Sequence, residues 1–465
     1  MSTKVLSGKD LRKIGFPEGR VIAVIVAVLD RHYKGKSKTY KLELMEALYK
    51  NPDAFAQDEI LGRIVKEYRN KTEEKKMISL NVKRLDYQIY GGADIEEGAR
   101  NQMEIAMKLP VTVAGALMPD AHHGYGLPIG GVLAVENAVI PYGVGVDIGC
   151  RMCLSVYDLP DTWLERHRSS LKKSLEDHTK FGNEVFSRPD DHVIFERKEF
   201  HELRILRSLK DRAWKQIGSS GSGNHFVEFG IAEISEESGL DVRPGKYLAV
   251  LSHSGSRGLG AEIARHYTKL ATQKCLLPSS AQSLAWLDLN SEEGMEYWLA
   301  MNLAGDYASA CHHQIHKKLA KAIGERHILM VENHHNFAWK EKMEDGREMI
   351  VHRKGATPAG KGVLGIIPGS MTAPGFIVRG KGNFSSINSA SHGAGRLMSR
   401  SMAKSSINRK DLKQELEKAG VELSGGGIDE APMAYKDIHK VMKYQKDLVD
   451  IVGTFYPKIV RMAGD

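Results

Sequence analysis

From about Asn81 onward, short apolar segments alternate with glycine-rich turns that contain histidine, aspartate or cysteine. Short apolar runs between such turns are typical of buried β-strands. One long helical pattern interrupts them from about Glu296 to Ile323, and Cys311 lies on its apolar stripe. This alternation predicts that residues 81–465 form one large α+β domain. The segments that show it best are VGVDIGC (144–150), YLAVLSHSGSRG (247–258) and ILMVENHHNFA (328–338).

Residues 1–80 have a different pattern. Apolar residues recur there at helical spacing, as at Leu44 and Leu48 and again at Ile60 and Ile64. Glycine is scarce, and a charged run at the end of the segment is typical of a solvated linker. We therefore expect a small helical accessory region before the large domain.

Composition restricts the class of protein. The 465 residues carry a formal charge of +8 and give a pI of about 9.0, which suits a polyanionic partner. The apolar run from Val21 to Leu29 is far shorter than the roughly 20 residues that span a bilayer, so a buried helix is expected there. Four cysteines in so long a chain do not make a disulfide framework, and we expect a cytoplasmic protein.

Five residues in the glycine-rich turns form a candidate metal site. Asp147 and Cys150 are three residues apart, and a carboxylate and a thiolate so close can bind a metal. His225, His253 and His335 each begin or follow an apolar strand, where loop ends can converge. These ligands could serve one metal, or two that share the thiolate. The mixed donors favour manganese, zinc, iron or cobalt, and ligand chemistry alone puts zinc first.

A second cluster has residues typical of phosphate binding. His392 precedes two glycines and an expected helix start in SHGAGRLMSR (391–400), where backbone N–H groups can approach an anion. Arg396 could clamp a phosphate, and a histidine aimed at phosphate can act as a nucleophile. The alternative is a glycine-rich helix cap with no ligand. Three histidines of the long helix are expected to be surface or packing residues instead: His312, His313 and His316.

A series of motifs, in this order, resembles the RtcB family of RNA ligases, and the match extends from about Gly92 to Ile438. The motifs are PDAHHGYGLPIGG (119–131), VGVDIGC (144–150), GNHFVE (223–228), HSGSRGLG (253–260), HHNFA (334–338), RKGAT (353–357), PGSM (368–371), SHGAGR (391–396) and DEAPMAYKDI (429–438). Their number and order make the resemblance specific. It implies an RtcB-like catalytic domain of mixed and antiparallel sheets flanked by helices.

The resemblance also implies a site for two manganese ions, with zinc or cobalt as alternatives. Cys150 would bridge the two ions. Asp147 and His225 would complete one coordination shell. His253 and His335 would complete the other.

GTP is the second cofactor that the resemblance implies, and His392 would become guanylylated. The substrate would be RNA with a 2′,3′-cyclic phosphate or 3′-phosphate end and a 5′-hydroxyl end, joined through an RNA–ppG intermediate in RNA repair or tRNA splicing. An archease-like activator is a further implied partner. Asp120 and His122 match an Asp-x-His element of the family to which we assign no role. The nucleotide-binding positions would be Asn224, Glu228, Asn336, Ser370, Gly393, Ala394, Gly395, Arg396 and Tyr435.

The chain departs from the family pattern at two basic residues. Arg151 follows the cysteine where the family usually has glycine, and this cation is expected to contact RNA or alter access to the metals. The sequence ends in FYPKIVRMAGD and lacks the terminal lysine of the family, for which Arg461 is a candidate substitute.

Two other functions fit part of these residues. A metal-dependent cyclic phosphodiesterase would keep the metal ligands without needing His392. The intact SHGAGR motif opposes this alternative, and the missing terminal lysine favours it. An RNA-binding protein without catalysis would have no use for a complete set of metal ligands. Ligation is therefore the leading hypothesis.

Overall fold

The chain divides into two compact units, as a computed structural model shows. Unit 1 is Met1–Met77 and unit 2 is Ile78–Asp465. The charged run expected at the end of the helical region, at residues 71–76, lies partly outside the described residues. The residues that the structure describes are 6–17, 19–72 and 77–464.

Unit 1 is helical, as expected, and has its own apolar core. Val21, Ile25 and Leu29 lie on one buried face of its second helix. The first helix begins with a capping box, in which the Ser7 hydroxyl accepts from the Asp10 N–H at 3.3 Å and the Asp10 carboxylate accepts from the Ser7 N–H at 3.0 Å. The helices are α1 (Gly8–Ile14), α2 (Arg20–His32), α3 (Lys38–Lys50) and α4 (Gly62–Thr72).

Unit 2 contains two large and two small sheets. Its strands are β1 (Gln88–Ile89), β2 (Thr112–His122), β3 (Ile129–Val135), β4 (Ala138–Val139), β5 (Arg151–Pro160), β6 (Phe226–Ile234), β7 (Gly245–Ser254), β8 (Leu287–Asp288), β9 (His327–His334), β10 (Asn336–Lys342), β11 (Glu348–Lys354), β12 (Ala356–Pro358), β13 (Leu364–Ile367), β14 (Gly375–Gly380), β15 (Ser389–Ser391), β16 (Glu422–Ser424) and β17 (Val449–Met462). The five-stranded sheet has the order β1-β2-β3-β11-β10. The eight-stranded sheet has the order β13-β14-β17-β6-β7-β5-β9, with β16 beside β17. The β1–β2 and β16–β17 pairs are parallel and the other pairs among the described strands are antiparallel, so the mixed α+β fold is confirmed.

Helices flank these sheets. They are α5 (Glu97–Ala106), α6 (Pro141–Val144), α7 (Asp161–His178), α8 (Glu199–Glu202), α9 (Arg204–Gln216), α10 (Arg257–Lys274), α11 (Glu292–Ile323), α12 (Arg400–Ser406), α13 (Arg409–Ala419) and α14 (Ile438–Tyr444). The expected long helix is confirmed as α11, which begins earlier than expected because the Ser291 hydroxyl caps it by accepting from the Gly294 N–H at 3.1 Å. Cys311 is buried on α11, as expected. No helix among the described residues is long and apolar enough to span a bilayer.

Four strands of the eight-stranded sheet have their ends at one edge. β5 and β6 begin there and β7 and β9 end there, because neighbouring strands run in opposite directions. Arg151, the first residue of β5, pairs with Ser254 of β7 and with His334 of β9. Phe226, the first residue of β6, pairs with His253 of β7. The turns before β5 and β6, the end of β7 and the residue after β9 therefore meet at this edge.

The turn before β5 lies close to α11 at two glycines. Gly149 has a φ of 69°, and a Cβ on it would lie 2.8 Å from the Gly305 Cα. Its N–H donates to the Asn336 carbonyl at 2.8 Å. A side chain at residue 149 would therefore displace this turn from both α11 and the neighbouring β-strand.

We expect Gly149→Ala to lower the stability of unit 2 by roughly 2–4 kcal/mol, since it combines left-handed strain with a backbone clash. Gly182→Ala is the matched control, because Gly182 has a φ of 58° but nothing lies within 4 Å of its added Cβ. That variant should lose about 1 kcal/mol. Thermal unfolding followed by circular dichroism measures both effects. Equal shifts of the two midpoints would contradict the close approach at Gly149.

Candidate functional site

The five candidate metal ligands lie together where the strand ends meet. Cys150 Sγ is 3.3 Å from His225 Nε2 and 3.2 Å from His253 Nε2. Asp147 Oδ2 is 2.9 Å from His225 Nε2, and His335 Nε2 is 3.2 Å from His253 Nε2. The ligand atoms form two groups that share the thiol, and within each group the atoms lie within 4.8 Å of one another. This arrangement could hold two metal ions about one sulfur.

Hydrogen bonds and burial prepare these donors for a metal. His253 Nδ1 donates to the Asn224 carbonyl at 3.1 Å, so its Nε2 carries the lone pair. Burial lowers the pKa of His253 to about 3 and the pKa of His335 well below its usual value, so both rings are neutral. Burial also raises the pKa of the Cys150 thiol, and a bound cation would release its proton. A buried set of neutral nitrogen and sulfur donors fits a transition metal.

The Asp147 carboxylate depends on a glycine in the turn after β7. A Cβ at Gly255 would overlap the Asp147 carboxylate, so a side chain there would displace this ligand from His225. Burial acts to raise the pKa of Asp147, but the charge and hydrogen bond of His225 outweigh it and the pKa is lowered. Asp147 is therefore a carboxylate at neutral pH.

His392 lies beside this centre and is bonded to a buried carboxyl group. Its ring centroid is 4.8 Å from that of His335. Asp120 Oδ2 accepts from the His392 backbone N–H at 3.2 Å and from Nδ1 at 2.6 Å. Because Nδ1 donates, Nε2 carries the lone pair of the neutral ring. Asp120, to which the sequence assigned no role, therefore orients the candidate nucleophile.

The expected helix start after His392 is wrong. β15 ends at Ser391, and residues 392–399 form a loop before α12 begins at Arg400. The loop is not helical because its backbone pairs with another segment: the Leu397 N–H donates to the Ala434 carbonyl at 2.8 Å. Anion binding beside His392 would therefore use the N–H groups of this loop and not a helix terminus.

One cavity of about 830 Å³ is lined by the five metal ligands, His392 and His122. Its volume suits a nucleotide-sized ligand. Glu228 is buried in its wall, and burial raises the pKa of Glu228 well above its usual value, so a neutral carboxyl group can both donate and accept there. The candidate nucleotide-binding residues that line it are Asn224, Glu228, Asn336, Ser370, Gly393, Ala394, Gly395, Arg396 and Tyr435.

The Arg396 guanidinium is already bonded to protein groups at the cavity wall. It donates to the Asp429 carbonyl at 2.7 Å, to the Met398 carbonyl at 3.1 Å and to the Glu430 carboxylate at 3.3 Å. The Tyr435 hydroxyl donates to the same carboxylate. These bonds use three of the five guanidinium N–H groups, so a phosphate clamp by Arg396 would have to use the remaining two. The network holds Arg396 and Tyr435 in place along the wall.

Lys354 has a position that the sequence did not single out, although it belongs to the RKGAT motif. Its ammonium group lies at the cavity wall and donates to the carbonyls of Tyr142, at 3.2 Å, and Tyr125. Burial lowers the pKa of Lys354 to about 7. The preceding Arg353 lies on the opposite face of the strand and pairs with Glu341 at 2.5 Å. Only one of these two cations is therefore available to a bound phosphate.

Two other basic residues do not have the roles expected of them. The Arg151 side chain is buried, pairs with Glu332 and donates to the Gly305 carbonyl at 2.8 Å, so the expected contact with RNA is wrong. Arg461 donates to the Leu175 carbonyl at 2.6 Å and is not among the described residues that line the cavity. It is therefore not placed to contact a nucleotide in the cavity.

The face of β7 that packs on α11 carries a buried chain of hydrogen-bonding groups. The Ser252 hydroxyl lies 2.6 Å from His312 Nδ1 and 2.8 Å from His316 Nε2. His312 Nε2 lies 3.1 Å from the Ser254 carbonyl. The Ser155 hydroxyl of β5 lies 2.7 Å from His316 Nδ1. This chain therefore joins β5, β7 and α11 directly behind the metal centre.

In each hydrogen bond of this chain, only one assignment of donor and acceptor is possible for neutral rings. The Ser254 carbonyl can only accept, so His312 Nε2 donates to it and His312 Nδ1 accepts from the Ser252 hydroxyl. That hydroxyl has one proton, so His316 Nε2 donates to it and His316 Nδ1 accepts from Ser155. Burial lowers the pKa of His316 to about 3 and the pKa of His312 well below its usual value, in agreement with neutral rings. Both are packing residues, as expected, with every ring nitrogen paired.

Cys153, His312 and His316 form a third group with ligand atoms within 4.8 Å of one another. The ring nitrogens of both histidines are already used by the hydrogen bonds of the chain, so neither has a free lone pair for a metal. Burial raises the pKa of Cys153 to about 12, and its thiol is neutral. This group is therefore structural. The neighbouring His313 is exposed and lies 2.8 Å from Glu332.

Fold and site together define a class of protein: an α+β protein in which a Cys/His/Asp cluster that could hold metal adjoins a histidine held by a buried aspartate. The family profile described as tRNA-splicing ligase RtcB matches residues 102–463. The chain belongs to the RtcB family.

Curated relatives support this membership. The RNA-splicing ligase RtcB of Escherichia coli strain K12 is 34% identical over 398 residues, which cover 78% of this chain and 93% of the relative. The tRNA-splicing ligase RtcB of Archaeoglobus fulgidus is 30% identical over 432 residues, which cover 77% and 88%. That of Aeropyrum pernix is 32% identical over 398 residues, which cover 70% and 82%. The part that matches the family profile lies within unit 2.

We expect Ser252→Ala to cost roughly 2–4 kcal/mol, because it leaves a buried nitrogen of both His312 and His316 without a partner. Ser155→Ala should cost about half as much, since only one nitrogen loses its donor. Ser208→Ala, whose exposed hydroxyl donates to a carbonyl of its own helix, should stay within about 0.5 kcal/mol of wild type. Thermal unfolding ranks the three variants. A Ser252 variant as stable as the Ser208 variant would contradict the proposed hydrogen-bond chain through Ser252.

Proposed function

We propose that the protein is an RNA ligase that joins a 2′,3′-cyclic phosphate or 3′-phosphate end to a 5′-hydroxyl end, in RNA repair or tRNA splicing. Membership in the RtcB family supports this function. The observation that carries the proposal is the Asp120–His392 pair beside the Cys150 ligand groups in one cavity. It combines a nucleophilic nitrogen with a metal centre suited to phosphate chemistry. A cytoplasmic location stays a prediction from composition, and an archease-like activator stays a prediction from the resemblance.

The two ligand groups would hold two manganese ions, although the same donors also suit zinc or cobalt. Asp147 and His225 would bind one ion, His253 and His335 the other, and Cys150 both. When bound, the ions would neutralise phosphate oxygens and polarise their bonds to phosphorus. The protein's own contribution is to keep the buried His253 and His335 rings neutral and close to the thiol.

His392 would act on GTP. Its Nε2 lone pair attacks the α-phosphorus, a nitrogen–phosphorus bond forms, and the bond from that phosphorus to the β-phosphate oxygen breaks so that pyrophosphate leaves. The ring becomes positively charged in this step. Asp120 Oδ2 stabilises that charge through the Nδ1–H bond of 2.6 Å.

The guanylyl group would then move to RNA. Water first opens the cyclic phosphate to a 3′-phosphate. An oxygen of this phosphate attacks the phosphorus on His392, and Nε2 leaves, which gives the RNA–ppG end. The 5′-hydroxyl of the second RNA loses its proton and attacks the RNA phosphate, and GMP leaves. Each step exchanges one bond to phosphorus for another, and no oxidant or reductant is needed.

The nucleotide would occupy the cavity beside His392. The Glu228 carboxyl group and the Asn224 side chain offer donors and acceptors suited to a base. The loop at residues 393–395 offers backbone N–H groups to the phosphates. Lys354 lines the same cavity, and its ammonium group, when protonated, adds a positive charge to the wall.

A cyclic phosphodiesterase that does not ligate is the second candidate. It is favoured because Arg461, the candidate nucleotide-binding cation, donates to the Leu175 carbonyl and is not among the described residues that line the cavity. It is opposed by the Asp120–His392 pair, since hydrolysis at the metal centre needs no oriented second nucleophile.

We expect the wild-type protein, given manganese and GTP labelled on the α-phosphate, to form an acid-labile protein–GMP adduct. His392→Ala should abolish the adduct because the attacking nitrogen is gone. Asp120→Asn should slow its formation about 10²- to 10⁴-fold, since the tautomer is no longer fixed and the cationic ring is not stabilised. His201→Ala, at an exposed histidine, is the control and should behave like wild type.

An adduct that survives His392→Ala would overturn the assignment of the nucleophile. If wild type binds metal and opens cyclic phosphate but forms no adduct, the phosphodiesterase is the better description.

Metal analysis of purified variants distinguishes the roles of Cys150, in the turn before β5, and Cys153, in β5. Cys150→Ala should remove most bound manganese, because both ligand groups lose their shared donor. Cys153→Ala should keep it, because the ring nitrogens of its group are all hydrogen-bonded. The reverse result, with metal lost only in the Cys153 variant, would place the metal behind the sheet instead.

A further inference from the structure

Positive charge is concentrated in unit 1. Its 77 residues contain 17 lysines and arginines and 11 aspartates and glutamates, which accounts for six of the chain's eight excess positive charges. Unit 2 contains 49 lysines and arginines and 47 aspartates and glutamates, so its net charge is close to zero. A small unit with such an excess attracts polyanions. Unit 1 also lies outside the part of the chain that matches the family profile, so family membership does not explain its charge.

The excess is densest in residues 31–41, RHYKGKSKTYK, which we call the basic segment. It runs from the last turn of α2 to the first turn of α3 and contains five lysines and arginines but no aspartate or glutamate. Arg31, Lys34 and Lys36 are exposed. Lys38 pairs with Asp10 at 2.9 Å and thereby ties the segment to α1. Three cations are therefore presented to solvent from an anchored segment.

Aromatic rings accompany these cations. The rings of Tyr33 and Tyr40 have centroids 6.5 Å apart, and Tyr40 is 42% exposed. Lys36 Nζ lies 5.3 Å from the centroid of the Tyr40 ring. Exposed rings among cations are suited to unpaired nucleotides, whose bases stack while their phosphates pair. The basic segment has no aliphatic, phenylalanine or tryptophan side chain to insert into a membrane, so a lipid surface is a poorer fit.

We propose that the basic segment is an RNA-docking surface that binds unpaired nucleotides of the RNA whose ends are joined in unit 2. The identity of this RNA rests on the proposed function. Arg31, Lys34 and Lys36 pair with successive phosphates, and a base stacks on the Tyr40 ring. The segment contains none of the candidate catalytic residues, so it holds the RNA and leaves the chemistry to the cavity.

Binding of full-length protein to RNA tests this surface. The probe is a fluorescent single-stranded RNA of roughly 40 nucleotides, several times the size of one single-strand site. Charge reversal at Arg31, Lys34 and Lys36, each to Glu, should weaken binding about 100-fold and reduce the salt slope by about 2. Tyr40→Ala should weaken it about 5-fold or more, because a stacking ring is lost. The matched control reverses three exposed cations of unit 1 outside the segment: Lys50→Glu, Arg63→Glu and Lys66→Glu.

The control variant should retain most of the affinity. Equal losses in both triple variants would overturn the proposal, since net charge alone would then explain binding. Unchanged RNA affinity in the segment variant, with lost binding to phosphatidylserine vesicles, would overturn it in favour of a lipid surface. Circular dichroism of each variant checks that unit 1 remains helical. Absence of the GMP adduct in wild type would defeat the proposed ligase function, whereas the comparison of the two triple variants would still decide whether the segment docks RNA.

Discussion

The convergence of four antiparallel strand ends on the Cys150 thiol determines most of what this protein can do. Because β6, β7, β5 and β9 alternate in direction, ligands that are far apart in sequence reach one sheet edge, and Cys150 lies 75 residues from His225 and 103 from His253. A register slip of one residue would turn His253 to the opposite face. The contact between Gly149 and Gly305 holds the turn in the position that this convergence needs.

The two faces of β7 have different roles at the candidate metal site. His253 lies on one face with Ala249 and Leu251, and Ser252 lies on the other, against α11. The front face thus carries a ligand whose lone pair is left for a metal. The back face carries a hydrogen-bond chain in which no lone pair of His312 is left over. Two buried sets of similar residues therefore differ in chemistry because their hydrogen-bond partners differ.

Residue type and turn context were enough to select five candidate metal ligands that the fold brings together, because each lies in a glycine-rich turn beside an apolar strand. Partners distant in sequence could not be predicted in this way. Asp120 and His392 are 272 residues apart, and Arg151 and Glu332 are 181 apart. The first pair was therefore missed, and Arg151 was expected to contact RNA or alter access to the metals without its ion pair being foreseen. The helix expected after His392 failed for the same reason, since that backbone pairs with a segment near Ala434.

The energetics of the Asp120–His392 pair indicate which state of the histidine the fold stabilises. Asp120 is fully buried, and its Oδ1 has no hydrogen-bond partner among the described residues. A buried carboxylate is costly, and a neutral imidazole with one backbone N–H offsets only part of that cost. The offset grows when the ring becomes cationic, because the 2.6 Å bond then joins opposite charges. The proposed attack by Nε2 on phosphorus would produce such a cation. If His392 is the nucleophile, as we propose, the Asp120 contact would favour the modified, cationic ring, as transition-state complementarity requires.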